Sequence, residues 1–303
     1  MKFTIATRGS KLALYQAHFV QSELRTKFPA HEWSIQTFTT TGDRIQDRPL
    51  IEFGGKGVFL KEIEEALLSG KADIAVHSLK DVPAIETAGL QLTAFLPRED
   101  PRDVWVSRQE DLTQLPPGKV VGTSSLRRSV LIRFYRADLK VELLRGNLDT
   151  RLRKLNENQY DAVVVAAAGL HRLKLFEPSF MQYLKEDAFI PAIGQGIMVV
   201  QKRAGLDELA AMLSQINDPI TATAARMERK FLARYEGGCH LPIGGLAENK
   251  DGQWIFRGFI GGVRSGRLIQ DRVQDADPDL CARLLSESLH TQGADELLAE
   301  LQS

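Results

Sequence analysis

Only two cysteines, Cys239 and Cys281, occur in 303 residues. That is too few for a disulfide framework or an all-cysteine metal site. The six histidines show no ligand spacing, so the chain reads as metal-independent. No stretch approaches the roughly 20 apolar residues of a membrane-spanning helix. An excess charge of one sign is also missing. Lys+Arg and Asp+Glu both number 39, whereas a nucleic-acid binder usually carries a basic surplus. Met1-Lys2-Phe3-Thr4-Ile5 runs straight into a strand pattern, without the apolar segment of a signal peptide. These absences predict a cytoplasmic, reduced protein with no nucleic-acid or membrane partner. Its length allows two or three domains.

What the chain does have is arginine after strand after strand. Arg8 follows Phe3–Ala6, Lys80 follows Ile74–Val76, and Arg127 and Arg128 follow Val120–Gly122. Arg145 follows Val141–Leu144, with Arg151 shortly beyond it, and Arg172 follows Val163–Ala168. In open α/β sheets the ligand sits at the carboxyl ends of the strands. Cations gathered there predict a ligand with several negative groups, and guanidinium forks suit carboxylates or phosphates. Since the net charge is zero, that polyanion should be small and enclosed. Taken singly, each arginine reads equally well as a solvated surface ion pair.

The hydrophobic pattern predicts alternating strands and helices over the first two hundred residues. Strands are expected at Phe3–Thr7, 34–40, 72–77, 119–122, 140–144, 161–168 and 197–201. Helices are expected after Ser10, with Leu12, Tyr15 and Phe19 on one face, over 59–70 and over 126–136 and 148–157. Segment 89–97 reads as a way out of the first unit. Lys71-Ala72-Asp73-Ile74-Ala75-Val76 echoes Gln159-Tyr160-Asp161-Ala162-Val163-Val164, which fits two similar lobes. The polar connection 42–56 reads as a lid. Helices over 207–216, 220–234, 279–289 and 294–301, with antiparallel strands at 254–262 and 267–273, complete the chain. The expected architecture is α/β: two periplasmic-binding-protein-like lobes around a cleft, with a small α+β C-terminal domain. The expected boundaries are 1–96 with 197–215 for the first lobe, 101–192 for the second, and 219–303 for the last domain.

Several residues carry candidate chemistry. Cys239 lies in the loop Glu236-Gly237-Gly238-Cys239-His240-Leu241-Pro242, where small neighbours let a ligand approach the backbone. From the loop alone, a small buried hydrophobe is the commoner reading, and Cys281 in its amphipathic helix reads as core. Lys80-Asp81 leaves a strand end, where the carboxylate could hold N–H or cationic groups or simply pair with its neighbour. His77 could be a general base or a histidine hydrogen-bonded in place. Gly122-Thr123-Ser124-Ser125 offers hydroxyls and N–H groups at a helix start, an anion-binding arrangement. Gly54-Gly55-Lys56-Gly57 lacks the spacing of a P-loop.

Together these segments resemble the porphobilinogen deaminase (hydroxymethylbilane synthase) family. The resemblance is carried by Ala6–Ala13, Gly54–Gly57, Val76–Pro83, Arg98-Glu99-Asp100-Pro101-Arg102-Asp103, Gly122–Arg128, Leu144-Arg145-Gly146-Asn147, Pro191–Gly196 and Glu236-Gly237-Gly238-Cys239. It implies a transferase that condenses four porphobilinogen molecules head to tail, releases ammonia each time, and hydrolyses off linear hydroxymethylbilane. It implies a dipyrromethane cofactor joined by a thioether to Cys239. Asp81 would be catalytic, binding pyrrole nitrogens and stabilising the cation left when ammonia departs. Ser78, Lys80, Asp81, Thr123, Ser125, Arg127, Arg128, Arg145 and Gly146 would hold the cofactor. Arg8, Ser10, Lys56, Phe59, Arg145, Arg151, Arg172 and Gln195 would hold substrate. No metal and a monomeric state are implied. Two positions depart from the pattern: Glu52 stands where Lys is frequent, and His240 where Gln is frequent.

The polyanion reading stands beside the resemblance, because each porphobilinogen brings two carboxylates and the chain grows more negative with each step. A carboxylate at Asp81 in such a cleft should stay charged and offset a developing cation. The rival is a non-enzymatic two-lobed binder of a small organic polyanion. It would use the same arginines but normally carries a signal peptide and needs no cysteine on a Gly-Gly loop. A metal-dependent phosphotransferase lacks both a P-loop and a magnesium carboxylate cluster.

Overall fold

Runs of Val, Ile and Ala form short strands buried on both faces, as central strands of covered sheets must be. The structure, a computed structural model, describes residues 1–44, 59–235 and 241–301. Lys56, Glu52, the Gly54–Gly57 segment, most of the expected lid, Cys239 and His240 lie outside the described residues.

The first sheet has the order β2-β1-β3-β10-β4. It is built from β1 (Lys2–Arg8), β2 (Glu32–Phe38), β3 (Ile74–Ser78), β4 (Leu90–Phe95) and a late strand, β10 (Met198–Arg203). β1 is parallel to β2 and β3, whereas β10 is antiparallel to β3 and β4. Helices α1 (Lys11–Lys27), α2 (Thr41–Arg44) and α3 (Lys61–Leu68) belong to this lobe. The second sheet repeats the plan as β7-β6-β8-β5-β9, from β5 (Asp103–Val106), β6 (Val120–Gly122), β7 (Lys140–Glu142), β8 (Ala162–Ala166) and β9 (Met181–Tyr183). Here β6 is parallel to β7 and β8, and β5 runs antiparallel between β8 and β9. Its helices are α4 (Leu126–Tyr135), α5 (Leu148–Asn156) and α6 (Ala167–Arg172). The chain thus crosses between lobes twice, before β5 and before β10.

The sequence echo has a structural counterpart. Asp73 Oδ2 accepts Thr4 N–H at 2.7 Å, and Asp161 Oδ2 accepts Val120 N–H at 2.8 Å. Each aspartate directly precedes one strand, β3 or β8, and ties down the start of that strand's parallel neighbour, β1 or β6.

After β10, α7 (Asp207–Ser214) returns its Leu209, Met212 and Leu213 to the core of the first lobe. α8 (Pro219–Arg234) leads to an antiparallel sheet of β11 (Ile243–Lys250), β12 (Gln253–Gly261) and β13 (Leu268–Asp275), backed by α9 (Pro278–Thr291) and α10 (Ala294–Ala299). Phe231, Phe256, Leu285 and Cys281 share its core. Phe259 packs instead with Trp105, Val121 and Leu131 of the second lobe.

Some sequence expectations need correction. Tyr15 and Phe19 are exposed, and α1 buries Ala17, Val20 and Leu24 together with Gln16 and Gln21. Hydropathy hides this face because both glutamines go inside with partners: Gln16 donates to Ser78 Oγ at 2.9 Å and Gln21 to the Trp33 carbonyl at 2.7 Å. The strand expected over 161–168 stops at Ala166, and Ala167–Arg172 is helical. A short continuous apolar run does not distinguish the two by periodicity. Segment 89–97 contains β4, and β5, β9 and β11 are strands that the pattern did not single out.

Candidate active site

Strand ends from both lobes meet around a cavity of about 230 Å³. On the first-lobe side β1 delivers Arg8, whose guanidinium carbon lies 4.1 Å from the centroid of the Phe59 ring. Ser10 then caps α1, its Oγ accepting Ala13 N–H at 3.3 Å, so the positive end of that helix opens on the cavity. β3 ends at Ser78 and passes into a 3-10 turn, Leu79–Asp81. Leu79 is buried and its N–H bonds the Ile197 carbonyl at 2.9 Å. That anchor leaves Lys80 and Asp81, both half-buried, at the cavity wall.

The second lobe supplies Arg128 from α4, the turn Gly146-Asn147 and Arg151 from α5. Gly146 has φ +118°, and a Cβ there would lie 2.6 Å from Thr150 Cγ2, so only glycine makes this turn without strain. Its carbonyl accepts Arg151 Nε at 2.9 Å, which aims the guanidinium. The N-terminus of α5 also faces the cavity through Asn147, Leu148 and Asp149. Asp149 reaches Lys11 on α1 at 3.3 Å, bridging the lobes at an exposed position.

Electrostatics make this cleft an anion receiver. Burial, then Arg128 and Arg145, lowers the Arg151 pKa to about 10. Burial, then Arg128, lowers the Lys80 pKa to about 8, against the opposing pull of Asp81 and Asp103. Such crowding of like charge is relieved when anionic groups enter. Lys80 gives its Nζ hydrogen to Gln195 Oε1 at 3.3 Å, so the simple Lys80–Asp81 surface pair is not formed. Among the described residues the Asp81 carboxylate accepts no hydrogen bond and joins no ion pair. It is an acceptor with its lone pairs open to the cavity.

The structure therefore places Arg8, Ser10, Phe59, Ser78, Lys80, Asp81, Arg128, Gly146 and Arg151 on one cavity wall. Other expected site residues lie behind it. Arg127 is 3% exposed and donates to Asp103 Oδ2 at 2.6 Å and to the Ile190 carbonyl at 2.7 Å. Arg172 is buried, with Nη2 2.7 Å from the Gly196 carbonyl. Arg145 is buried beside Arg151, and burial lowers its pKa. Thr123 is buried and its Oγ1 accepts Ser125 N–H at 3.1 Å, while Ser125 caps α4 by accepting Arg128 N–H at 3.4 Å. Gln195 is 1% exposed.

His77 also lines the cavity. It is hydrogen-bonded in place, with Nε2 3.1 Å from Gln201 Oε1, and burial lowers its pKa to about 4. It is thus neutral at pH 7.

Two residues carry roles that sequence reasoning did not assign. Gln16 lines the cavity and fixes Ser78. Asp103, 0% exposed, receives Arg127, both Nε and Nη2 of Arg128 at 3.1 and 2.7 Å, and Gln195 Nε2 at 3.0 Å. Burial alone would push its carboxyl up; the two guanidiniums outweigh that and hold it well below the usual carboxylate range. Its only sequence signal was its place directly after Pro101-Arg102.

Residues 3–211 match the family described as "Porphobilinogen deaminase, dipyromethane cofactor binding domain", and residues 222–289 match "Porphobilinogen deaminase, C-terminal domain". The porphobilinogen deaminase of Geobacillus kaustophilus is 44% identical over 299 residues, covering 98% of this chain and 97% of that protein. That of Roseiflexus castenholzii is 45% identical over 299 residues, covering 98% of each. Among solved structures, the periplasmic aliphatic sulphonate binding protein of Escherichia coli is 15% identical and covers 78% of this chain and 70% of its own, with a TM-score of 0.43.

Proposed function

Because this chain belongs to the porphobilinogen deaminase family, we propose that Asp81 is its catalytic carboxylate and that the surrounding cations hold the acidic side chains of cofactor and substrate. The chain is a transferase of tetrapyrrole biosynthesis that joins four porphobilinogen molecules with loss of ammonia. The observation that carries the proposal is the Asp81 carboxylate, unpartnered among the described residues, in a cavity that Arg8, Lys80, Arg128 and Arg151 also line.

In each condensation a C–C bond forms between the aminomethyl carbon of the incoming unit and the free α-carbon of the chain. The C–N bond breaks, ammonia leaves, and the α-carbon loses its proton. Positive charge develops on the incoming pyrrole as ammonia departs. A fixed carboxylate 3 Å or so from the ring nitrogen stabilises that charge most, because it is preorganised and only partly solvated. Asp81 has the free lone pairs for this, and the buried anchor of Leu79 holds its turn still.

The donor set fits a dipyrromethane. Open carboxylate lone pairs suit pyrrole N–H groups, and Ser78, Lys80, Arg128 and Arg151 suit carboxylates. When bound, the cofactor supplies the free α-carbon that primes the chain. Cys239 is its proposed attachment point, and Lys56 a proposed substrate contact; both lie outside the described residues. Thr123, Ser125, Arg127, Arg145 and Arg172 stand behind the wall and support it. The two-lobed binder loses its footing to the family membership.

No described helix is long and apolar enough to cross a membrane. A cytoplasmic monomer is part of the same proposal, as is the absence of a nucleic-acid partner, which the zero net charge supports.

The test is the intact mass of the freshly purified chain with peptide mapping. The added mass of a dipyrromethane belongs on the peptide holding Cys239, with Cys281, 0% exposed, unmodified. Active enzyme with a bare Cys239 would refute the attachment.

A further inference from the structure

Gln195 sits on the second inter-lobe crossing and touches groups of both lobes. Its Nε2 donates to the Pro101 carbonyl at 2.7 Å and to Asp103 Oδ1 at 3.0 Å. Both acceptors belong to the second-lobe side, and both accept only, so the amide orientation is fixed: Oε1 must face the other way. There it lies 3.3 Å from the Lys80 ammonium of the first lobe. We propose that Gln195 is a positioning residue, held by Asp103 and Pro101, that sets the Lys80 ammonium at the cleft wall across the lobe boundary.

Three observations carry this. Gln195 is 1% exposed and absent from the cavity wall, whereas Lys80 is on it. Asp103, which orients Gln195, also binds Arg128 through two nitrogens, so one buried carboxylate fixes two cavity cations from opposite lobes. The backbone around Gln195 is built to hold still. Its carbonyl accepts Arg98 Nε at 2.9 Å, and Gly196, with φ +90°, packs so tightly on the Glu99 carbonyl that a Cβ would collide with it. Lys80 is also crowded by like charge from Arg127 and Arg128 of α4, with Asp103 of β5 and Asp81 of its own turn opposing them. An ammonium so placed swings away from the arginines unless something holds it, and the neutral amide oxygen does so without cancelling its charge.

The inference rests on the proposed role of Lys80 in holding anionic groups, so its test reads Lys80 directly as well as turnover. Gln195→Met keeps the volume and removes both hydrogen-bonding functions. Gln195→Glu keeps an acceptor for Lys80 but places a second carboxylate against Asp103. In the holoenzyme of each variant, acylation of Lys80 relative to the other lysines is followed by peptide mass, alongside kcat, KM and the melting temperature. Both variants should fold and lose about tenfold in kcat, the scale of one hydrogen bond to a charged group. Gln195→Met should acylate Lys80 several-fold faster, whereas Gln195→Glu, which keeps a now charged acceptor on the ammonium, should not. KM should change less than kcat, because Gln195 is buried and does not line the cavity. Wild-type Lys80 reactivity in Gln195→Met, with lowered turnover, would overturn the positioning role while leaving the site reading intact. A loss confined to KM would make Gln195 a direct substrate contact and overturn it as well. Full activity in Gln195→Glu would show that the tie to Asp103 is not needed. Failure of Gln195→Met to fold would show that the network carries the fold rather than Lys80.

Discussion

Glu228 is fully buried and takes the Arg98 guanidinium on both its oxygens, at 2.6 and 3.4 Å. Arg98 belongs to the first inter-lobe crossing and Glu228 to α8, so the pair joins the lobes to the C-terminal sheet. The carboxylate also accepts Gly194 N–H at 2.7 Å and Ala247 N–H at 2.9 Å. One side chain thus satisfies the second crossing, β11 and the arginine together.

Arg98→Ala should destabilise the protein by about 3–5 kcal/mol, because it strands a buried carboxylate. The paired apolar replacement, Arg98→Met with Glu228→Leu, should not recover that loss. In many buried ion pairs such a swap is neutral, but here it also orphans two backbone N–H groups, at about 1–3 kcal/mol each. Denaturant midpoints of the single and double variants decide the matter. A double variant as stable as wild type would show that the backbone bonds to Glu228 contribute little.

Arg127 and Arg151 should separate by phenotype. Arg127 is spent on Asp103 and the Ile190 carbonyl inside the second lobe, so Arg127→Ala should lower stability by about 3 kcal/mol. Arg151 lines the cavity with one firm bond, to the Gly146 carbonyl. Arg151→Ala should leave melting near wild type and impair cofactor loading or chain growth. Melting curves and the holo fraction by intact mass give the comparison, and equal phenotypes would contradict the division between wall and frame.

His77 gives the fold a defined acid sensitivity. Its pKa falls from 6.5 in the unfolded chain to about 4 in the folded one, chiefly through burial. Between those values the unfolded state binds the proton and the folded state does not, so stability falls as pH drops from about 6.5 towards 4. The full effect, reached below the folded pKa, is about 3 kcal/mol. His77→Gln has no such titration, so its stability should fall less steeply over that window than that of wild type. Urea midpoints from pH 7 to pH 4 measure the difference. Parallel profiles would mean that His77 does not resist protonation.

The sequence carried the cavity cations well because strand ends are legible. An apolar run followed by a basic residue puts Arg8 and Lys80 where a sheet presents its ligands, whatever the rest of the chain does. The Asp73 and Asp161 echo was legible for the same reason, since each aspartate acts within its own short unit. Asp103, Gln16 and the adjacent pair Arg127-Arg128 were not. One of two neighbouring arginines lines the cavity and the other does not, although both bind one distant carboxylate, Asp103, 24 residues away in the chain for Arg127 and 25 for Arg128. Gln16 reads as surface on a helix until Ser78, 62 residues on, supplies its partner. Polar residues buried by distant partners invert the hydropathy pattern locally, which is also why the buried face of α1 was misplaced.

Asp81 gives the sharpest test of the chemistry. The carboxylate has no protein partner among the described residues, so replacing it should disturb the cavity wall little. Asp81→Asn keeps the shape and can still accept one pyrrole N–H, so the cofactor should attach. It has no charge to offset the cation that forms as ammonia departs. Removing one preorganised electrostatic partner costs about 10²–10³ in rate, and a full charge in this partly desolvated turn should cost at least that. Asp81→Glu keeps the charge but moves it by one methylene, so it should retain partial turnover. Neither change should alter melting by more than about 1 kcal/mol, since no bond in the free protein is lost. Product formed per holoenzyme, with cofactor content fixed by intact mass, separates chemistry from loading. If Asn turned over as fast as Glu, negative charge at this position would not be the catalytic element. The open lone pairs would then serve only to seat the pyrrole rings.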